Sequence, residues 1–103
     1  MGFWNLKTLK LDAFRPGILS KIETGANLTI AVMEIGPHQE GAAHHHPFDQ
    51  CGIVVEGKIE ISVGEEKKLL GPMETYFIPA GLSHNWRTKT LTAKILDVIA
   101  KQG

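Results

Sequence analysis

Glycine and proline cut this chain into short pieces, at Pro16-Gly17, Gly25, Gly36-Pro37, Gly57, Gly64, Gly71-Pro72 and Pro79-Ala80-Gly81. No piece keeps a 3.6-residue apolar period over more than two turns, so helices are not expected. The pieces alternate instead. In Lys58-Ile59-Glu60-Ile61-Ser62-Val63, the side chains of Ile59, Ile61 and Val63 share one face and Lys58, Glu60 and Ser62 the other. Leu28 to Ile35 is rich in β-branched residues and reads as a strand. Ile18 to Thr24, Lys67 to Leu70, Thr75 to Ile78, His84 to Thr88 and Leu91 to Ile99 read the same way. Gln50 to Glu56 is nearly all apolar and is predicted to be a strand buried on both faces. Gly64-Glu65-Glu66 marks a hairpin turn, and Gly36-Pro37 opens a predicted loop that lasts to the histidines. Phe3 to Phe14 fits neither period and reads as an arm or edge strand. Short strands at a spacing of roughly 8–12 residues imply an all-β, antiparallel sandwich or barrel. A jelly-roll barrel suits the length, and its interior can hold a ligand.

At 103 residues the chain is expected to form a single domain over 1–103, long enough to bury roughly 60–70% of its unfolded surface. A net charge of zero and a pI near 7.0 offer no basic field for nucleic acid or a membrane surface. Cys51 is the lone cysteine, which excludes an internal disulfide and suits a reducing compartment. There is no apolar run of ~18 residues and no signal-peptide pattern, so the expected location is cytoplasmic.

The chemistry concentrates in Gly41-Ala42-Ala43-His44-His45-His46-Pro47-Phe48-Asp49-Gln50. In an extended chain His44 and His46 point the same way and His45 the opposite way, so two imidazoles can reach one metal ion. Gln50 is a candidate amide ligand, and His84, after the turn Pro79-Ala80-Gly81, is a further imidazole. A histidine run alone is more often a solvated loop; convergence with Gln50 and His84 is what turns the reading toward a metal. His45 and His38 read as surface residues. Cys51, the neighbour of Gln50, should face away from the site.

These residues resemble the cupin superfamily over about Ile18 to Ile99. Its first motif runs Gly, five residues, His-x-His, three or four residues, Glu, six residues, Gly; here His44-x-His46, three residues, Gln50, six residues, Gly57 keep the spacing. The leading glycine, due at position 38, is absent. The second motif runs Gly, five residues, Pro-x-Gly, two residues, His, three residues, Asn; Pro79-x-Gly81-x-x-His84 matches, with Met73 in the glycine position and Thr88 in that of the asparagine. The resemblance implies a jelly-roll barrel and one divalent transition metal held by His44, His46, Gln50 and His84. Imidazole-rich ligation suits Zn, Ni or Fe, with Mn and Cu also open. Gln50 replaces the usual Glu with a neutral amide, so the ion would keep its full charge, attract an anionic substrate and polarise a carbonyl.

Within the superfamily, the chain resembles the small cupins of pectin breakdown that convert unsaturated uronates into linear keto sugars. The shared residues are His44-His45-His46-Pro47 with Gln50, Glu56-Gly57 and Leu96-Asp97-Val98. In that group the Asp is implicated in catalysis, which makes Asp97 the candidate acid/base. Alternation puts Leu91, Ala93, Ile95, Asp97 and Ile99 on one face, and either that face or its opposite can line the barrel. The group's Arg-containing tail has no counterpart in Ala100-Lys101-Gln102-Gly103, and Arg87 should point away from His84. The expected function is metal-assisted proton transfer on a small anionic carbohydrate or keto acid. A metal-dependent dioxygenase and a non-catalytic metal or small-molecule binder are the alternatives. A homodimer is the family expectation, with the arm bearing Phe3, Trp4 and Phe14 either on a neighbour's sheet edge or folded back on its own barrel.

Overall fold

The alternation seen in the sequence is realised, among the described residues, as ten antiparallel strands. A computed structural model describes residues 2–101; Met1 and the closing Gln102-Gly103 of the expected domain lie outside the described residues. The strands are β1 (Asp12–Arg15), β2 (Ile18–Thr24), β3 (Leu28–Ile35), β4 (Glu40–His44), β5 (Gln50–Glu56), β6 (Ile59–Val63), β7 (Glu66–Leu70), β8 (Thr75–Ile78), β9 (His84–Arg87) and β10 (Ala93–Ala100). One sheet has the order β1-β2-β3-β10-β5-β8 and the other β4-β9-β6-β7. Their inner faces close over one core, giving the all-β jelly-roll barrel expected. No helix among the described residues is long and apolar enough to cross a membrane.

The barrel closes around β10, which pairs with β3 from Ala93↔Ile35 to Ala100↔Leu28 and with β5 on its other edge. The core holds Ile18, Ile35, Val54, Ile59, Ile61, Leu70, Ile78, Ala93 and Ile95, with Tyr76 among them. Each fully buried Ile or Val contributes about 1.5–3 kcal/mol by leaving water. Ile59 and Ile61 are buried as their alternation predicts.

Two sequence expectations are corrected. The stretch from Gly36 to the histidines is not all loop, because β4 forms in it. Glu-Gly-Ala-Ala carries no apolar alternation, so the strand is held by its partner: Glu40 pairs with Arg87, Gly41 with Trp86 and His44 with His84. A side chain at Gly41 would run into the Trp86 indole. Nor is β5 buried on both faces. Only Val54 is fully covered, whereas Cys51, Ile53 and Val55, on the opposite face, are half-buried.

The N-terminal arm lies along its own barrel. Phe3, Trp4 and Leu6 face Ile30 and Leu96, the buried Lys94 donates from Nζ to the Leu6 carbonyl at 3.0 Å, and β1 pairs with β2. Phe3 stays 96% exposed.

The positions of the two missing motif glycines adopt left-handed backbone, His38 at φ 57° and Met73 at φ 71°. A residue with a Cβ is disfavoured there by about 1–2 kcal/mol. The Met73 turn is pinned by its N–H donating to the Val54 carbonyl at 2.8 Å, and its side chain is mostly exposed. Met73→Gly should therefore stabilise the protein by about 0.5–1 kcal/mol, after allowing for the greater freedom of glycine in the unfolded chain. Urea titration should show a higher midpoint with an unchanged slope; a lower midpoint would contradict this. Thr88, in the asparagine position, is buried, donates to the Gly36 carbonyl at 2.6 Å and accepts from the Gln39 N–H at 3.0 Å. It ties the 36–39 loop to the end of β9.

Candidate metal centre

His44 closes β4 and its cross-strand partner His84 opens β9, so the sheet itself sets two imidazoles side by side, with ring centroids 4.2 Å apart. His46 lies just past β4 and brings its ring to 4.8 Å from that of His84 and 5.7 Å from that of His44. The His46 loop is tied to the second turn: Gly81 N–H donates to the His46 carbonyl and Ala80 N–H to Asp49 Oδ1, both at 2.8 Å. The two motifs are thereby held as one unit.

All three rings have the same sense. His44 Nδ1 lies 3.0 Å from the Ala42 carbonyl, His46 Nδ1 3.0 Å from that of Phe48, and His84 Nδ1 3.1 Å from that of Leu82. A carbonyl only accepts, so Nδ1 carries the proton and Nε2 offers its lone pair in each case. One nitrogen from each ring falls within 4.8 Å of the others. His84 Nε2 is buried and has no hydrogen-bond partner. Burial, and then the neighbouring histidines, hold the His84 imidazole below its usual range against the Leu82 carbonyl, so it stays neutral.

Gln50 Oε1 sits 2.9 Å from His46 Nε2. With the proton on Nδ1, both atoms are acceptors, and a cation beside them or a second proton on the ring would relieve the contact. The amide's Nε2 donates to Asp97 Oδ2 at 3.0 Å, and the Tyr76 hydroxyl donates to Asp97 Oδ1. The face left open by the sequence is now decided: Asp97 points inward with Ile95 and Ile99 and is 6% exposed. Burial pushes its carboxyl up to about 6, against the opposing pull of the bonds from Tyr76 and Gln50. Burial, then the Asp97 charge, pushes the Tyr76 hydroxyl well above its ordinary range.

A model of the cupin domain family matches residues 31–99. This chain belongs to that family. Among solved structures, the cupin is similar to TT1209 from Thermus thermophilus, at 27% identity and a TM-score of 0.86, with 100% of each chain covered. KdgF from a Halomonas species aligns at 23% identity and a TM-score of 0.86, over 100% of this chain and 96% of that one. An RmlC-like cupin from Shewanella frigidimarina aligns at 19% identity and a TM-score of 0.86, over 99% and 92%. No curated protein matches.

The residues present suit the metal that the cupin fold implies. Three imidazoles converge, one of them with an orphaned buried nitrogen, and an amide oxygen stands beside them. His44, His46, Gln50 and His84 all line a cavity of about 280 Å³, as does Asp97. Its walls are otherwise largely apolar, with Met33, Ile61, Ile78 and Trp86, and Phe48 stacks on His46 with centroids 4.1 Å apart. His45 is exposed, and neither it nor His38 or Cys51 lines this cavity. Arg87 points away, bonded to Glu60 at 2.9 Å.

Sequence reading did not single out Tyr76 or Gly52. Gly52 pairs with Asp97 on one side and Tyr76 on the other, and a side chain there would run into both the hydroxyl and the carboxylate. A glycine inside the apolar run Gln50 to Glu56 was a legible sign of close approach. Tyr76, the only tyrosine, alternates with the inward Ile78, a weaker sign.

Proposed function

We propose that this cupin holds one divalent transition metal through His44, His46, Gln50 and His84, and that Asp97 moves a proton on a small anionic substrate bound beside it. The observation that carries this reading is the placement of Asp97: a buried carboxyl, pushed up to about 6, hydrogen-bonded to Gln50 beside the histidine cluster and facing the same cavity. A bound ion would polarise a substrate carbonyl and offset the charge of the enolate formed on proton removal. Zn, Ni, Fe, Mn and Cu all suit the donor set.

The cavity narrows the substrate class proposed. No Arg or Lys lines it among the described residues, so a substrate carboxylate would have to be met at the metal-binding end. Largely apolar walls, in which Asn85 is, among the described residues, the one polar side chain besides the candidate ligands, Tyr76 and Asp97, favour a short alkyl body over a ring of hydroxyls that would lose hydrogen bonds to water. These features favour a short-chain keto acid over a uronate. Asp97 takes the proton from the carbon next to the carbonyl and returns it there or at the adjoining oxygen. Gln50 and Tyr76 hold the carboxylate through one lone pair on each oxygen, leaving the others for the proton.

The test is deuterium exchange at C3 of 2-oxobutanoate, followed by NMR in D₂O with protein loaded in turn with Zn²⁺, Ni²⁺, Mn²⁺ and Fe²⁺. Exchange should require metal and fall at least about 100-fold in Asp97→Asn measured at saturating metal. Equal exchange by wild type and Asp97→Asn would remove Asp97 as the base. Oxygen consumption by the Fe²⁺ form without exchange would favour a dioxygenase, and neither activity would favour a binding protein.

A further inference from the structure

We infer that the amide at position 50 is dictated by Asp97 rather than by the metal, and that Tyr76 and Asp97 act as positioning residues for that ligand. The inference rests on the metal centre proposed above but not on the proton transfer. Its basis is a three-link chain in which each bond has a determined sense. The Tyr76 hydroxyl can donate to Asp97 Oδ1, and the carboxylate can only accept. Asp97 Oδ2 then takes an N–H from Gln50 Nε2 at 3.0 Å, which leaves Oε1 facing His46 Nε2 at 2.9 Å. Turning the amide over would set oxygen against oxygen at Asp97 and N–H groups where a ligand is needed.

Gly52 makes the chain possible. It separates Asp97 from Tyr76 on neighbouring strands, and the absence of its side chain is the space in which they meet. Asp97 is thus fixed in position and in its accepting role before any ligand is considered.

A glutamate at position 50 would set a second carboxylate against Asp97 at about the separation now spanned by a hydrogen bond, deep in the barrel. The amide avoids this, because it alone presents an oxygen on one side and an N–H on the other. The same logic allows one alternative. A carboxylate at 50 with an amide at 97 restores donor to acceptor with its direction reversed, and the pair still carries one negative charge. Gln with Asp and Glu with Asn keep both hydrogen bonds and one negative charge; Glu with Asp sets charge against charge, and Gln with Asn keeps its bonds only by reversing the Tyr76 hydroxyl into an acceptor and loses the charge.

The experiment is a double-mutant cycle on the full chain: wild type, Gln50→Glu, Asp97→Asn and the double variant. Zn²⁺ affinity is measured by competition with a chromophoric chelator, and thermal unfolding of each metal-free protein verifies folding. Asp97→Asn should weaken Zn²⁺ binding about 10-fold or more beside Gln50, yet strengthen it in the Gln50→Glu background. Tyr76→Phe, which keeps the ring and removes the donor, should also weaken Zn²⁺ binding in the wild-type background and serves if a charge variant fails to fold. An effect of Asp97→Asn in the same direction in both backgrounds would overturn the inference, as would unchanged affinity in Tyr76→Phe. If wild type binds no Zn²⁺, the metal centre itself fails and this inference fails with it. Binding without the reversal leaves the metal centre standing and removes only the coupling.

Discussion

Gly52→Ala is expected to destabilise the protein by about 3–5 kcal/mol, from overpacking of about 1–3 kcal/mol and loss of a charge-assisted buried hydrogen bond of about 1.5–3 kcal/mol. The added methyl would meet the Tyr76 hydroxyl and ring carbon on one side and Asp97 Oδ1 on the other, and both neighbours are buried. Either side chain could move only toward the cavity both line, which would break the Tyr76–Asp97 hydrogen bond. For a domain whose total stability is about 5–15 kcal/mol, this is a large share, and the melting midpoint should fall by well over 10 °C. Gly25→Ala is the control. Its nearest atom would be the Leu28 carbonyl oxygen at 3.6 Å, an ordinary contact, so the change should stay within about 0.5 kcal/mol. Denaturant titration of the two variants side by side decides the matter. A Gly52→Ala protein within 1 kcal/mol of wild type would mean that the Tyr76–Asp97 contact is not formed as described.

Asp97→Asn should change the pH dependence of stability in the metal-free protein. The Asp97 carboxyl is raised from 3.8 to about 6 in the fold, so the folded state binds its proton more tightly than the unfolded chain does. Its stabilising contribution is therefore fully present below pH 3.8 and is lost as pH rises through about 6. At about 1.4 kcal/mol per pH unit of displacement, the loss by neutral pH is up to about 3 kcal/mol. The asparagine variant has no such proton. Its stability relative to wild type should improve by up to about 3 kcal/mol between pH 4 and pH 8. Taking the difference between the two proteins cancels the histidines, which titrate in both. A stability difference that does not vary with pH would show that Asp97 is not held in a raised state. Chelator must be present throughout, because a bound cation would stabilise the carboxylate and mask the effect.

The candidate histidine ligands were legible because their signal is local. His44 and His46 share a face through the two-residue repeat of an extended chain, and His84 follows a turn whose Pro-x-Gly is visible in the sequence. β4 was missed because Gly41, Ala42 and Ala43 have no apolar alternation; the strand exists through its pairing with β9. β5 read as buried on both faces because its composition is apolar, but composition does not say whether a second layer covers the outer face. The direction of Asp97 was open because the period-2 pattern groups residues by face without saying which face is inside.

Local periodicity and turn chemistry therefore determined most of the strands, the all-β class and the candidate ligands His44, His46, Gln50 and His84. Only the tertiary structure decided what surrounds Gln50. Gly52, Tyr76 and Asp97 come from β5, β8 and β10 and meet through strand register, a property of pairings between distant segments that no single stretch encodes. That register turns a glutamine at the end of an apolar run into an oriented amide, with its nitrogen on Asp97 and its oxygen toward the histidines.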